Sequence, residues 1–386
     1  MKLLIIGDAF NQFVINFAYE LKKYQDSIYI DIVNPFANEI NISLKNNPYN
    51  KIFAYPRLNP IIAKIPKLRG LINLRNLDKT IKHINENIHE YDVVLMHGMW
   101  LMHCYIFSKL KTTNLFSAAA IWGSDFYKRE NEAKLFQTID KCDLVVISTE
   151  EMVKDFLEVR NIEGNKIRNC LFGLAPLNYL FDLQNITAKE SKKRLGLNED
   201  DFIILCGYNG SPNHQHLEIF SILSDIKSEL PEKTKLIVPL TYGGSEEYKM
   251  KVKKALEGIG MKYVVYERFL SDENTAHLRK STDLMIQIPI TDAFSGSLQE
   301  HLFAQNIVIA GSWLPYQSLK DKSIYYETID SISGLKHKIL VVINNLDEIK
   351  NRIIKSNTPD KFKSSLWSES IKDWYNALSE YKLKQK

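Results

Sequence analysis

At 386 residues the chain is too long for one simple core and points to two domains. Hydrophobic residues make up 45% and charged residues 25%, which excludes wholesale disorder, a collagen-like chain and a polytopic membrane protein. Fifty Lys and Arg against 46 Asp and Glu leave a net charge of +4, which gives no sign of nucleic-acid binding, so any basic surface must be local.

Short apolar runs alternate with amphipathic stretches. The pattern predicts strands at Leu3–Ile6, Ile28–Val33, Val93–Met96, Ala118–Ile121 and Leu144–Ile147, with helices near 11–23, 102–110 and 149–159. Residues 176–200 are mixed and polar and read as a connection between domains. Alternation then restarts, with strands at Phe202–Cys206, Lys235–Pro239, Tyr263–Tyr266, Leu284–Ile288 and Ile307–Ala310 and helices between them. Continuous β-rich runs, each followed by a helix, imply parallel sheets covered on both faces. The expected fold class is α/β, two Rossmann-like doubly wound domains facing a cleft. The expected boundaries are 1–180 and 200–358, with an amphipathic helix over 361–386.

Cys104, Cys142, Cys170 and Cys206 form no CxxC pair, so neither a zinc knuckle nor a redox motif is signalled. Buried free thiols in a reducing cytoplasm are the economical reading. The first apolar run breaks at Gly7-Asp8, as a strand would and a signal peptide would not, and no apolar stretch reaches membrane-spanning length.

Ligands of doubly wound sheets bind beyond the strands' C-terminal ends. Five loops there carry candidates. Gly7 to Asn11 follows the first strand and is either a ligand loop or a tight turn. His97, followed by Gly98, ends the strand 93–96 and either reaches a cleft or is structural; His103 reads as helical surface. Gly123-Ser124-Asp125 offers a turn, a hydroxyl and a carboxylate, with Asp125 alternatively capping the next helix. Asn209-Gly210 lies in a turn ahead of a helix start, an anion-receptive nest of N–H groups. His214 and His216, at that helix start, diverge too much to share a metal.

The fifth loop, Asp292-Ala293-Phe294-Ser295-Gly296-Ser297-Leu298-Gln299-Glu300, is the strongest. Small and hydroxylic residues open a helix whose free N–H groups and dipole favour a phosphate. Glu300, one turn inside, has the right chemistry for the two hydroxyls of a ribose. The plain alternative is a helix capped by Ser295 or Ser297.

Asp292-x7-Glu300 resembles the E-x7-E motif of retaining family 4 glycosyltransferases and their GT-B relatives. The surrounding order is similar too: Val264-Val265-Tyr266-Glu267-Arg268-Phe269-Leu270, a short helix, Asp283-Leu284-Met285-Ile286, then the motif. Trp122-Gly123-Ser124-Asp125 resembles a segment of their N-terminal domains. The resemblance implies that the first acid meets the donor sugar, the second the nucleotide ribose, and the backbone between them the diphosphate. It also implies a last helix that crosses back to the first domain.

The chain departs from that pattern at two places. The first acid is Asp292 rather than Glu, and Tyr208-Asn209-Gly210-Ser211-Pro212 stands where an Arg and Lys pair is usual. That loop, with Tyr242 in the segment 238–244, is similar to the fucosaminyl-lipid transferases of enterobacterial common antigen synthesis. Arg268, Lys280 or the backbone would then hold the diphosphate.

Residues 57–82 carry seven bases against Asp78, interleaved with Ile61, Ile62, Ile65, Leu68, Leu71, Ile72 and Leu74. Such a segment suits either an anionic bilayer surface or a solvated helix pair with an apolar inner face.

Together these features imply a hexosyltransferase moving a sugar from a nucleotide-diphosphate donor to a bacterial surface glycan or lipid-linked acceptor. Asp292 and Glu300 would hold the donor, with no obligatory metal and no further cofactor. Gly7, Asn11, Gly123 and Ser124 would lie on the acceptor side. His97 or Asp125 would act as base if the reaction inverts. The rivals are a sugar-nucleotide epimerase and a degenerate subunit that binds a partner transferase.

Overall fold

In the computed structural model, residues 1–37, 47–55, 64–127 and 132–384 are described. The chain divides into two compact units, Met1–Gly173 with Trp367–Lys386, and Leu174–Leu366.

The first unit holds strands β1 (Lys2–Ile6), β2 (Tyr29–Ala37), β3 (Lys51–Tyr55), β4 (Val93–His97), β5 (Phe116–Ile121), β6 (Leu144–Ile147) and β7 (Ile167–Asn169). They form one parallel sheet in the order β3-β2-β1-β4-β5-β6-β7. Its helices are α1 (Gln12–Tyr24), α2 (Pro66–Glu86), α3 (Leu101–Lys109), α4 (Ser124–Tyr127), α5 (Glu132–Ile139) and α6 (Glu150–Val159). Leu3, Leu4, Ile5 and Ile6 are all fully buried, because the central strands are covered on both faces. Strand order reverses between β1 and β4, the switch point at which such sheets open a ligand crevice.

The second unit repeats the plan. Strands β8 (Phe202–Cys206), β9 (Thr234–Pro239), β10 (Lys262–Tyr266), β11 (Leu284–Gln287), β12 (Ile307–Gly311) and β13 (Glu327–Ile329) pair in parallel, in the order β10-β9-β8-β11-β12-β13. Its helices are α7 (Ala175–Asp182), α8 (Ala188–Arg194), α9 (His216–Asp225), α10 (Glu246–Gly258), α11 (Asp272–Ser281), α12 (Gly296–Phe303), α13 (Gln317–Asp321), α14 (Leu335–Asn344) and α15 (Leu346–Ser356). Successive residues of a strand face opposite sides. Ile204 and Cys206 enter one core with Leu236, Leu284 and Ile309, while Ile203 and Leu205 enter another with Ile237, Met285 and Val308.

The chain returns to the first unit in α16 (Trp367–Leu378), which packs on α1. Trp367 and Trp374 are buried, and the Trp374 indole donates to the Leu171 carbonyl at 2.8 Å. A Cβ on Gly173 would lie 2.4 Å from the Trp367 ring, so only glycine admits this contact.

Residues 176–200 differ from the sequence expectation. They are no linker: α7 and α8 pack on α11 inside the second unit. A capping box between Thr187 and Glu190 starts α8, and Lys192 is buried against Asp283. All four cysteines are free and buried. Among the described residues no helix is long and apolar enough to cross a membrane. Arg57, Ile61 and Ile62 of the basic segment fall outside the described residues.

Candidate functional site

In the second unit strand order reverses between β8 and β11, and the loops after β8, β9 and β11 meet beyond their C-terminal ends. Asn213 ties two of these loops. It donates from Nδ2 to the Thr291 carbonyl at 2.7 Å and accepts the Thr291 N–H at 3.1 Å. Gly210 N–H donates to the Tyr242 carbonyl at 2.7 Å. A Cβ on Gly244 would lie 2.1 Å from the Gly210 carbonyl oxygen, and Gly244 has φ +68°, so backbone meets backbone there.

This packing engages two donors of the expected anion nest at Asn209 and Gly210. The Gly210 N–H is held by Tyr242, and the Ser211 N–H donates to Asn209 Oδ1 at 2.8 Å. Those donors build the loop rather than face a ligand. The Tyr242 hydroxyl bonds to the Asn209 side chain, and its ring stacks on Phe269 at 5.4 Å.

Asp292 is half-buried and surrounded by donors. The hydroxyls of Tyr208 (3.4 Å) and Tyr316 and the Gln287 amide (3.3 Å) reach its carboxylate, as do the N–H groups of Ala293 and Ser295. Burial pushes its pKa up, and those hydrogen bonds pull against it.

Ser295 is the N-cap of α12 and accepts the Leu298 N–H at 3.2 Å, the plain cap role. The N–H groups of Gly296 and Ser297 begin the helix, where no intrahelical acceptor exists. Ser297 Oγ is buried without a partner among the described residues. A Cβ on Gly296 would lie 2.7 Å from Leu174.

Glu300 is buried in the next turn, but it does not stand alone. Arg279 Nε, from the last turn of α11, donates to Glu300 Oε2 at 2.8 Å. Burial raises the Glu300 pKa although the guanidinium opposes it. The charges of Glu300, Arg279 and Asp292 all act on the Tyr242 hydroxyl. Sequence reasoning offered Arg268, Lys280 or the backbone for the diphosphate and did not single out Arg279. Helical phase could not separate Arg279 from Lys280, since they follow Ala276 by three and four residues on one face; the packing of α11 against α12 decides it. Arg268 is exposed in the loop after β10. Lys280 is partly buried, which lowers its pKa, and the Glu190 charge opposes that.

In the first unit the loops after β1, β4 and β5 also adjoin one another. Asn11 caps α1, accepting the Phe13 N–H at 2.9 Å, and the Phe13 ring meets Trp122 at 5.7 Å. Gly7 does not use a glycine's freedom: a Cβ there would meet its nearest neighbours at 3.5 Å, an ordinary contact. Gly98 and Gly123 do, with φ +92° and +107°.

His97 and Asp125, the two base candidates, are both buried and already engaged. The Trp122 indole donates to His97 Nδ1 at 3.1 Å, so that nitrogen is an acceptor already in use. His97 lies among Phe17, Trp122, Phe172 and Trp374, and burial pushes its pKa down to about 3. A base with that pKa is far from the range useful near neutrality. Asp125 accepts N–H groups from Met99 (2.8 Å), Trp122 (2.9 Å) and Gly123 (2.9 Å), so it organises two loops. Ser124 opens α4, and its side chain lies outside the described set. His103 is buried rather than exposed; its Nδ1 donates to the Gly98 carbonyl at 2.7 Å. Among the described residues no three His, Cys, Asp or Glu side chains converge as a metal site.

No family model matches the sequence, and no curated protein matches it. Solved structures do. HepE of Anabaena, crystallised with UDP and glucose, superposes with a TM-score of 0.71 at 13% identity, over 98% of this chain and 99% of its own. Sucrose-phosphate synthase of Thermosynechococcus elongatus gives 0.76 at 11%, over 99% of each chain. A Listeria monocytogenes protein assigned as a UDP-N-acetylglucosamine 2-epimerase gives 0.62 at 14%, over 98% of this chain and 96% of its own. At such identities the likeness concerns architecture, and by architecture this chain has the GT-B fold.

Proposed function

We propose that the protein is a glycosyltransferase that moves a sugar from a UDP-sugar to a growing bacterial surface glycan or its lipid carrier, with retention of configuration. It would serve polysaccharide biosynthesis for the cell envelope, from the cytoplasm at the inner face of the plasma membrane. The observation that carries this reading is one segment beyond β11: Asp292 among its hydroxyl and amide donors, the N-terminus of α12, and Glu300 paired with Arg279. Four free buried thiols fit a reducing compartment.

In this reading Asp292, oriented by the Tyr208 and Tyr316 hydroxyls, meets hydroxyls of the transferred sugar. Glu300, fixed by Arg279, accepts from the ribose. The N–H groups of Gly296 and Ser297, the Ser297 hydroxyl and the helix dipole hold the diphosphate, with Arg268 as a second cation. Charge developing on the leaving diphosphate is met by these fixed donors, which lowers the barrier. Under retention the leaving phosphate oxygen can take the acceptor proton, so no protein base is required. The burial of His97 and the saturated carboxylate of Asp125 favour that course over inversion.

Thermal-shift measurements with UDP, GDP and dTDP test the reading. A ligand at 100 times its Kd adds about 2.7 kcal/mol. A shift with UDP that Glu300→Gln abolishes supports it. No shift with any nucleotide would favour a degenerate subunit. Conversion of the donor sugar without acceptor would favour the epimerase reading, to which the Listeria structure lends weight.

A further inference from the structure

The helix α2 has two halves of different character. In the C-terminal half Leu77, Ile81 and Ile84 are buried in the core of the first unit. From Lys64 and the N-cap Ile65 through the first turns to Leu71 every residue is exposed, including Ile65 (50%), Leu68 (41%) and Leu71 (68%). The exposure is not a matter of helix face alone. Gly70 lies nearly in line with Leu77 and Ile81, yet a Cβ added there would meet nothing within 4 Å. Among the described residues, the first two turns therefore have no neighbour even on the side that faces the core further along.

At 3.6 residues per turn, Leu68 lies about 180° around the helix from Leu77. The outward face carries Leu68, Leu71 and Ile72 in its first turns, with Ile65 at the margin. Arg75, Lys79 and Lys82 continue the same face. Lys64, Lys67 and Arg69 ring the apolar end. None of these six bases is in an ion pair among the described residues. The one acid of this stretch before Glu86, Asp78, accepts the Tyr105 hydroxyl at 2.6 Å. Uncompensated bases around a protruding apolar tip match a surface that is anionic at the headgroup and apolar just beneath it.

We propose that this half of α2 docks the protein reversibly on an anionic lipid bilayer, with Ile65, Leu68 and Leu71 entering the interface and the six bases lying on the headgroups. The surface names the partner that presents a lipid-linked acceptor. It rests on the acceptor side of the proposed function and not on the donor site, so it can be tested without turnover.

The test is co-sedimentation of the full chain with vesicles of phosphatidylcholine, with and without phosphatidylglycerol. Binding is expected only to the anionic vesicles and should weaken as salt rises. At about fivefold per base, K64A/K67A/R69A should weaken it on the order of a hundredfold. L68S/L71S should weaken it at unchanged charge. K254A/K262A/K355A, which removes three exposed bases from the second unit, should leave it within about threefold of wild type. All substituted side chains are exposed, so unchanged melting temperatures will show that the variants fold. Absence of binding, equal binding to neutral vesicles, or equal loss in the control triple would each overturn the proposal. A UDP shift retained alongside any of these would leave the donor reading intact.

Discussion

Arg279 and Glu300 form a buried ion pair, Nε to Oε2 at 2.8 Å, between the end of α11 and the second turn of α12. Removing one partner of such a pair strands the other charge in a poor solvent. Arg279→Ala or Glu300→Ala should cost about 3–5 kcal/mol in urea unfolding, whereas the double variant Arg279→Met with Glu300→Leu should cost much less. Additive losses in the double-mutant cycle would show that the pair is not coupled.

Tyr316 donates to Asp292 from a fully buried ring, with Gln287 on the same oxygen. Tyr316→Phe removes one hydrogen bond to a charged group, worth about 1.5–3 kcal/mol. If Asp292 meets the transferred sugar, kcat should fall with little change in UDP affinity. A variant that loses UDP binding and keeps kcat would contradict that role.

Two glycines should respond in opposite directions. Gly244 has φ +68° and no room for a Cβ, so Gly244→Ala should destabilise and disturb the β8–β9 loop contact. Gly70 lies within α2 in open space, so Gly70→Ala should stabilise by about 0.5–1 kcal/mol. Melting temperatures of the two variants decide it.

Asp125 holds three backbone N–H groups in a buried site. Asp125→Ala leaves all three unpaired and should cost at least about 3 kcal/mol, and Asp125→Asn less. A general base would instead lose activity at unchanged stability, so unfolding curves measured with activity separate the two.

Burial pushes His103 down to about 4, against about 6.5 unfolded. Between those values the unfolded chain binds the extra proton, so the contribution of His103 is present above pH 6.5 and is lost as pH falls. His97, His214 and His216 have the same sign, while the raised carboxyls of Asp125, Asp292 and Glu300 oppose it. The clean readout is therefore a difference. The stability gap between wild type and His103→Asn should shrink by about 1.4 kcal/mol from pH 7.5 to 5.5. A constant gap would mean that His103 titrates normally in the folded state.

The two sheets were legible because their central strands are continuous apolar runs, a pattern that follows from burial on both faces. Three of the four edge strands, β3, β7 and β13, were not, since an edge strand has one neighbour and a weaker apolar signal; β10, also at an edge, was read from its run Tyr263-Val264-Val265-Tyr266. The Asp292-to-Glu300 spacing was legible because it is local: one loop and two turns of one helix set it. Sequence alone thus determined two doubly wound domains and one capped helix start with an acid at either end, Asp292 and Glu300.

Tertiary structure decided what each group can do. Arg279 reaches Glu300 across 21 positions, and Tyr316 reaches Asp292 across 24. The Gly210 N–H, free on paper, is captured by Tyr242, and Asp125 is filled by donors from two loops. Hydrogen-bond partners and burial are properties of neighbours in space. A linear pattern specifies them only within a turn or two of the backbone.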